Sequence, residues 1–298
     1  MAGNFWKSSH YEQWILDKHE LLRQRSDDLK HFSEEEYQKL MIFFSNYIQI
    51  IGQEVGKVRM QVTASAIVYF RRFYARQSIF SNIDPFLLAP TCIFLASKVE
   101  EHGQMSVNKI SQLATNIWKR FGEKPFPVQD LTVRTAAIYE AEFCLLEILD
   151  CCLIVYHPYR PLNQLILDIK QNLKDFKDVD SLASDAWRVC NDSLRTDVAI
   201  LYPPHQIAIA CIMIAAILNN KEKDLKNWFA ELSVDFEKVF EIQQMIFNMY
   251  RIWKSFEGKN FDEQLLALFE KLQYVRPQAT IPPALHQQGG HHMDMQMH

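Results

Sequence analysis

Apolar residues recur at spacings of three and four along nearly the whole chain, and the strict alternation of a half-buried strand is absent. The pattern predicts a first helix opened by the capping box Ser9-x-x-Glu12, with Trp14, Ile15, Leu21, Leu22 and Leu29 on its apolar side. A second box, Ser33-x-x-Glu36, opens a longer helix carrying Leu40, Phe44, Tyr47, Ile48 and Ile51, with Gly52 and Gly56 fraying its end. The next helix, over 58–76, sets Val62, Ala66, Tyr69, Phe70 and Phe73 on one side. Asp84 caps a strongly apolar helix whose first turn holds Pro85, where a missing N–H costs nothing. Helices over 106–119 and 130–149, with a loop at 122–127 between them, complete a first set. Pro158 and Pro161 interrupt the pattern, and the boundary is placed there. A second set follows over 161–173, 180–200, 204–219, 224–231 and 234–256.

The two sets are copies. At an offset of 119, Pro85 matches Pro204, Ala89 matches Ala208, Cys92 matches Cys211, Ile93 matches Ile212 and Ala96 matches Ala215. The preceding helix keeps the same offset, pairing Ala64 with Ala183, Ser65 with Ser184 and Arg76 with Arg195. Two consecutive helices in register point to duplication of a five-helix unit. The expected fold is therefore all-α: an N-terminal helix over 1–32, a first repeat over 33–156, a second over 157–258, and a C-terminal extension and flexible tail over 259–298.

The chain has 298 residues, 48% apolar and 23% charged, a balance that can bury two sizeable cores. The longest apolar run, twelve residues over 207–218, is too short to span a bilayer, and the N-terminus lacks the features of a signal peptide. The six cysteines, with no CxxC spacing, read as buried free thiols of a reducing compartment. A net charge of -4 argues against a protein that coats nucleic acid. After Arg276 the composition turns to Pro, Gln, Gly and His; this tail reads either as solvated polar chain or as a weak site for a soft metal ion.

No catalytic signature is found. The eight glycines form neither GxGxxG nor a P-loop, HExxH and GxSxG are absent, and Asp27-Asp28 lacks the partners of a magnesium-binding DDxxD cluster. No catalytic residue, metal or cofactor is expected. The run Arg71-Arg72-Phe73-Tyr74-Ala75-Arg76 mixes bases with aromatics as nucleic-acid surfaces do, but cations also complement a helix C-terminus. Lys98 is the anomaly. Steps of 4, 7 and 11 back along its helix reach Phe94, Thr91 and Leu87, so it continues an inward side, where the second copy has Ile217. Two readings are open: it snorkels past the helix end, or it pairs with a carboxylate of another helix such as Glu142, Glu100 pointing elsewhere.

FLASKVEE followed 44 residues on by the glutamate of EFCLLEIL resembles the lysine and glutamate of the cyclin box. The two five-helix repeats resemble the cyclin fold over residues from about 5 to 258, and the strings NFWKSSHYEQWILDK, LAPTCIFLASKVEE, DCCLIVYHPYRPL and WRVCNDSLRTD are similar to the cyclins of the Mediator kinase module. The resemblance implies a regulatory subunit, not an enzyme, that activates a cyclin-dependent kinase and meets the other Mediator kinase-module subunits in the nucleus to control RNA polymerase II transcription. It implies no membrane and no direct nucleic-acid contact. Lys98 and Glu142 would pair beside the kinase αC helix, with Val99 and Leu146 in apolar contact and Glu100 at the rim. Trp187, Asn191 and Asp192 match a groove for a second partner; core burial is the other reading of Trp187. Arg71 stands where cell-cycle cyclins commonly carry aspartate, and their MRAIL motif is missing, so docking of RxL substrates is not implied. The rival expectation is a cyclin-fold scaffold of the transcription-factor-IIB type, which binds DNA and basal factors without a kinase.

Overall fold

The computed structural model describes residues 3–56, 58–103, 105–120, 133–174, 176–256 and 261–275. Among them are fourteen α-helices and no strand. The loop expected at 122–127 and the tail after Arg276 lie outside the described residues. The N-terminal segment holds α1 (Ser9–Trp14) and α2 (Lys18–Gln24). The first repeat comprises α3 (Glu34–Gly56), α4 (Met60–Arg76), α5 (Pro85–Val99), α6 (Val107–Arg120) and α7 (Thr135–Ile148). The second comprises α8 (Tyr159–Asn172), α9 (Val179–Ser193), the single turn α10 (Val198–Leu201), α11 (Pro204–Leu218), α12 (Glu222–Glu231) and α13 (Phe236–Phe256), and α14 (Phe261–Val275) follows.

Each repeat wraps helices around one that is apolar on every side, because such a helix has no face to give to water. In the first repeat that helix is α5, packed by α3, α4, α6 and α7; in the second it is α11, packed by α8, α9, α12 and α13. Both end in the same way. Glu101 and Asn220, 119 residues apart, take left-handed φ values of 49° and 56°. The next N–H of each returns to a helix carbonyl: His102 to Ser97 at 3.0 Å and Lys221 to Ala216 at 2.8 Å.

Local chemistry explains most boundaries. The box at Ser33 closes as expected, with Ser33 N–H donating to Glu36 Oε2 at 2.9 Å and Glu36 N–H to Ser33 Oγ at 3.2 Å. Asp84 accepts from Phe86 N–H at 2.8 Å, ahead of Pro85. The N-terminal helix is different from its expectation. Ser8, not Ser9, caps α1, and Asp17 then caps a separate α2 by accepting from His19 and Glu20 N–H, so the apolar stripe runs through two short helices with a break between them. Gly52 does not fray α3. It is buried inside that helix, where a Cβ would stand 2.9 Å from Thr63 Oγ1, so it permits close approach of α4.

Two further corrections concern charge and thiols. Arg71 and Arg72 do not decorate a helix end: both are fully buried. Arg71 donates through Nε to Leu194 C=O at 3.0 Å, through Nη1 to Asp197 Oδ1 at 2.8 Å and through Nη2 to Ser45 Oγ at 3.3 Å. Arg25 of the N-terminal segment reaches the same carboxylate at 2.6 and 3.0 Å. This shared acceptor ties the N-terminal segment, the first repeat and the second together, and the helix expected over 180–200 ends at Ser193, just before the turn that supplies it. All six cysteines are free, but Cys144 and Cys151 are exposed rather than buried.

Candidate functional site

The end of α5 and the middle of α7 meet at the surface of the first repeat, where α7 packs alongside α5. Lys98 lies in the last turn of α5, and its Nζ pairs with Glu142 Oε1 of α7. The two expectations for Lys98 are both partly realised. Its side chain stays 48% exposed while that of Glu142 is only 10% exposed, so the lysine snorkels outward and neutralises a carboxylate sunk into the surface. The ammonium also sits 4.3 Å from the ring centroid of Phe94, one turn earlier. Val99 and Leu146 are half-buried against the core beside the pair.

Glu100 is held rather than free. Its carboxylate accepts from Gln61 Nε2 at 2.7 Å and from Ser65 Oγ at 2.5 Å, and Arg59 donates to its main-chain carbonyl. Ser65 Oγ also lies 2.8 Å from Nε2 of His157, the first residue after the first repeat. Burial, then the charge of Arg72, lowers the His157 ring to about 3, so it is neutral; because the Ser65 hydroxyl donates its one proton to Glu100, the contact requires the tautomer with Nε2–H donating to Ser65. The C-cap of α5 is thereby coupled to the junction between repeats.

Pattern reading missed the residues around the pair. Phe143 is 74% exposed, Tyr139 is exposed with its ring edge-on to Phe94 at 5.7 Å, and Ile154 is exposed beyond the end of α7. Exposed aromatics beside a neutralised buried carboxylate make a surface suited to receive another protein's helix. The signal was present: α7 carries apolar residues on more faces than one core contact requires.

The second set does not converge on one point. Trp187 is half-buried and stacks on Tyr159 of α8 at 4.8 Å, its Nε1–H donating to Asn163 Oδ1 at 3.2 Å. Asn191, one turn on, accepts from the Tyr159 hydroxyl at 2.9 Å. Asp192 turns to α13 instead, accepting from the Tyr250 hydroxyl at 2.9 Å and from Arg195 Nη1 at 2.8 Å. Among the described residues no cluster of three or more potential ligands could hold a metal ion, and no helix is long and apolar enough to cross a membrane.

Comparison with known proteins gives this geometry a context. The cyclin N-terminal domain family matches residues 13–154, and the cyclin C-terminal domain family matches residues 157–254. The chain is 52% identical to the cyclin-C of Drosophila melanogaster over 271 residues, covering 91% of this chain and 97% of that one. It is 50% identical to the cyclin-C of Rattus norvegicus over 281 residues, covering 93% and 92%. A chain of the yeast TFIIK (Kin28/Ccl1/Tfb3) complex superposes with a TM-score of 0.61 at 28% identity, over 81% of this chain and 100% of that one.

Proposed function

The chain belongs to the cyclin family, and from that premise we propose that it activates a cyclin-dependent kinase within the Mediator kinase module, in the nucleus, in the control of RNA polymerase II transcription. Cyclins are regulatory subunits of kinases and not themselves enzymes. Assignment to Mediator is supported by the similarity of LAPTCIFLASKVEE, DCCLIVYHPYRPL and WRVCNDSLRTD to that branch and by relatives bearing the name cyclin-C.

The observation that carries the reading is the Lys98–Glu142 pair at the rim of an exposed aromatic face. A protein kinase positions ATP only when its β3 lysine pairs with the αC glutamate. A surface that binds αC better in that conformer shifts the population toward it. In this reading Tyr139, Phe143, Val99 and Leu146 give apolar area to αC, and the Lys98–Glu142 pair donates and accepts at its main chain. The repeat over 33–156 faces the kinase; the repeat over 157–258, with Trp187, Asn191 and Asp192, meets other subunits of the module. The full burial of Arg71 and Arg72 removes the basic patch that a DNA-binding scaffold would use.

Co-purification followed by a kinase assay tests the proposal. A kinase subunit whose activity rises with this chain supports it. Retention on DNA with basal factors, and no gain in kinase activity, replaces it with the scaffold.

A further inference from the structure

The chain leaves α7 through Asp150, Cys151 and Cys152, a turn that sets two thiols side by side. Asp150 and Cys151 both take left-handed φ, 50° and 53°, and Cys151 N–H returns to Leu146 C=O at 3.0 Å. Left-handed residues other than glycine are costly, and α4 braces these from one side. Arg76 donates to Ile148 C=O at 2.9 Å and to the Asp150 carboxylate, and the Tyr69 hydroxyl donates to Leu153 C=O at 2.5 Å. The turn holds Cys151 in water and leaves Cys152 half-buried.

Cys152 meets two further groups. Its Sγ–H donates to Gln13 Oε1 of α1 at 3.0 Å, in a contact open to solvent. Its carbonyl accepts from Arg72 Nη1 at 3.0 Å. Unlike Arg71, Arg72 reaches no carboxylate among the described residues, and its Nε and Nη2 have no hydrogen-bond partner there. Burial lowers the Arg72 guanidinium to about 9, and the negative charges that oppose this shift are those of Tyr69 first and Cys152 second. A thiolate at Cys152 therefore supplies charge that this buried cation lacks, and the thiolate is the form that attacks peroxides.

Cys151 is placed to complete the reaction. Adjacent Cα atoms stand about 3.8 Å apart, below the range of about 4.4–6.8 Å that relaxed disulfides span. A bridge between neighbours is strained and readily reduced, which suits a switch and not a structural staple. Cys144, the other exposed thiol, has no cysteine beside it in the chain.

We propose that Cys151 and Cys152 form a redox pair that a hydroperoxide converts to a reversible disulfide. The Cys152 thiolate attacks one peroxide oxygen; the O–O bond breaks, and the departing alkoxide takes up a proton to leave as an alcohol. Cys152 is then a sulfenic acid. The Cys151 sulfur attacks the Cys152 sulfur, the S–O bond breaks, and hydroxide leaves as water with the Cys151 proton. Two thiols lose two electrons and the peroxide gains them. Closing the bridge takes the Sγ–H from Gln13 and so loosens α1 from the end of α7.

Hydrogen peroxide added to the full chain tests this, with peptide mass spectrometry after cleavage at Glu147, which parts Cys144 from the pair. The peptide holding Cys151 and Cys152 should lose two hydrogens, and dithiothreitol should restore them. Cys151→Ser should instead accumulate a sulfenic acid at Cys152 that dimedone traps, and Cys152→Ser should leave Cys151 reduced. Trypsin should cut at Lys18 about fivefold faster in the oxidised protein, and not in treated Cys151→Ser. Two thiols still open to iodoacetamide at a dose that oxidises Cys144 would overturn the proposal. Disulfide-linked dimers in place of the internal bridge would also overturn it, and unchanged cleavage at Lys18 would overturn the loosening of α1.

Discussion

Arg71 of α4 and Asp197 of the second repeat are 126 residues apart in the chain and 2.8 Å apart across the junction between the repeats. Arg25 forks across both oxygens of the same carboxylate, so both buried guanidiniums share Asp197. Burial by itself would raise the Asp197 carboxyl, but the charges and hydrogen bonds of Arg25 and Arg71 outweigh it and hold the group well below the usual carboxylate range. Asp197→Ala leaves two buried cations without a counter-charge, and a loss of about 3–5 kcal/mol of unfolding free energy is expected in urea melts. A folded pKa below the unfolded one gives stability that is fully present above about pH 4 and is lost as pH falls toward the folded value. The gap between wild type and variant should stay constant from neutrality to about pH 5 and narrow only in stronger acid. A gap that closes between pH 7 and pH 5 would show that Asp197 is not the anchor.

His10 and His157 predict a different pH window. Burial first, and the charge of Arg72 second, lowers both rings to about 3. Each binds a proton in the unfolded chain below about pH 6.5 and resists doing so when folded, so stability is full above that pH and falls as acid is added. Two such groups give a slope of up to about 2.7 kcal/mol per pH unit near pH 5. His157→Gln should roughly halve it. Urea unfolding between pH 7.5 and pH 5 makes the measurement, and a flat profile for the wild-type protein would contradict neutral buried rings.

The central helices α5 and α11 were legible because an apolar run with internal duplication constrains both its structure and its burial. The ends of α3 and α5 were legible from Ser33-x-x-Glu36 and from Asp84-Pro85, where the chemistry is local. The shared Asp197 was not, since Arg25 and Arg71 are 172 and 126 residues from it, and no periodicity reports such a contact. The Lys98–Glu142 pair was reached through the cyclin-box strings and one odd residue on an apolar stripe. Phe143 escaped because a helical pattern marks a residue as apolar without saying whether water or a partner lies over it. Helix α14 did carry a signal that went unread: Leu265, Leu268, Phe269 and Leu272 fall at spacings of three and four, and all four are buried.

Trp187 tests the division of labour between the repeats. Its ring is half-buried on Tyr159, while the Tyr159 hydroxyl keeps its own bond to Asn191. Trp187→Ala therefore loses one stacking surface without opening the core, at a cost of about 1–3 kcal/mol. Kinase affinity should be unchanged, and recovery of other Mediator kinase-module subunits in co-purification should fall. Equal loss of both would place Trp187 among residues that merely maintain the fold.

The Lys98–Glu142 pair gives the sharpest prediction, because its two halves differ in exposure. Removing Glu142 from the free protein leaves a lysine already half in water, so Glu142→Ala should change stability by no more than about 1 kcal/mol. Removing Lys98 leaves a carboxylate that is 10% exposed without its cation, so Lys98→Ala should cost more, about 2 kcal/mol. Under the proposed kinase contact, water would be excluded from both groups and the order of effects would change. A kinase main chain over the pair would bury Lys98 as well, and Glu142→Ala should then cost about 3–5 kcal/mol of binding, a loss of roughly a hundredfold to a few thousandfold in affinity. Calorimetric titration of the partner kinase against both variants, with unfolding curves measured in parallel, separates the two effects. Undiminished kinase affinity in a folded Glu142→Ala protein would remove this surface from the interface.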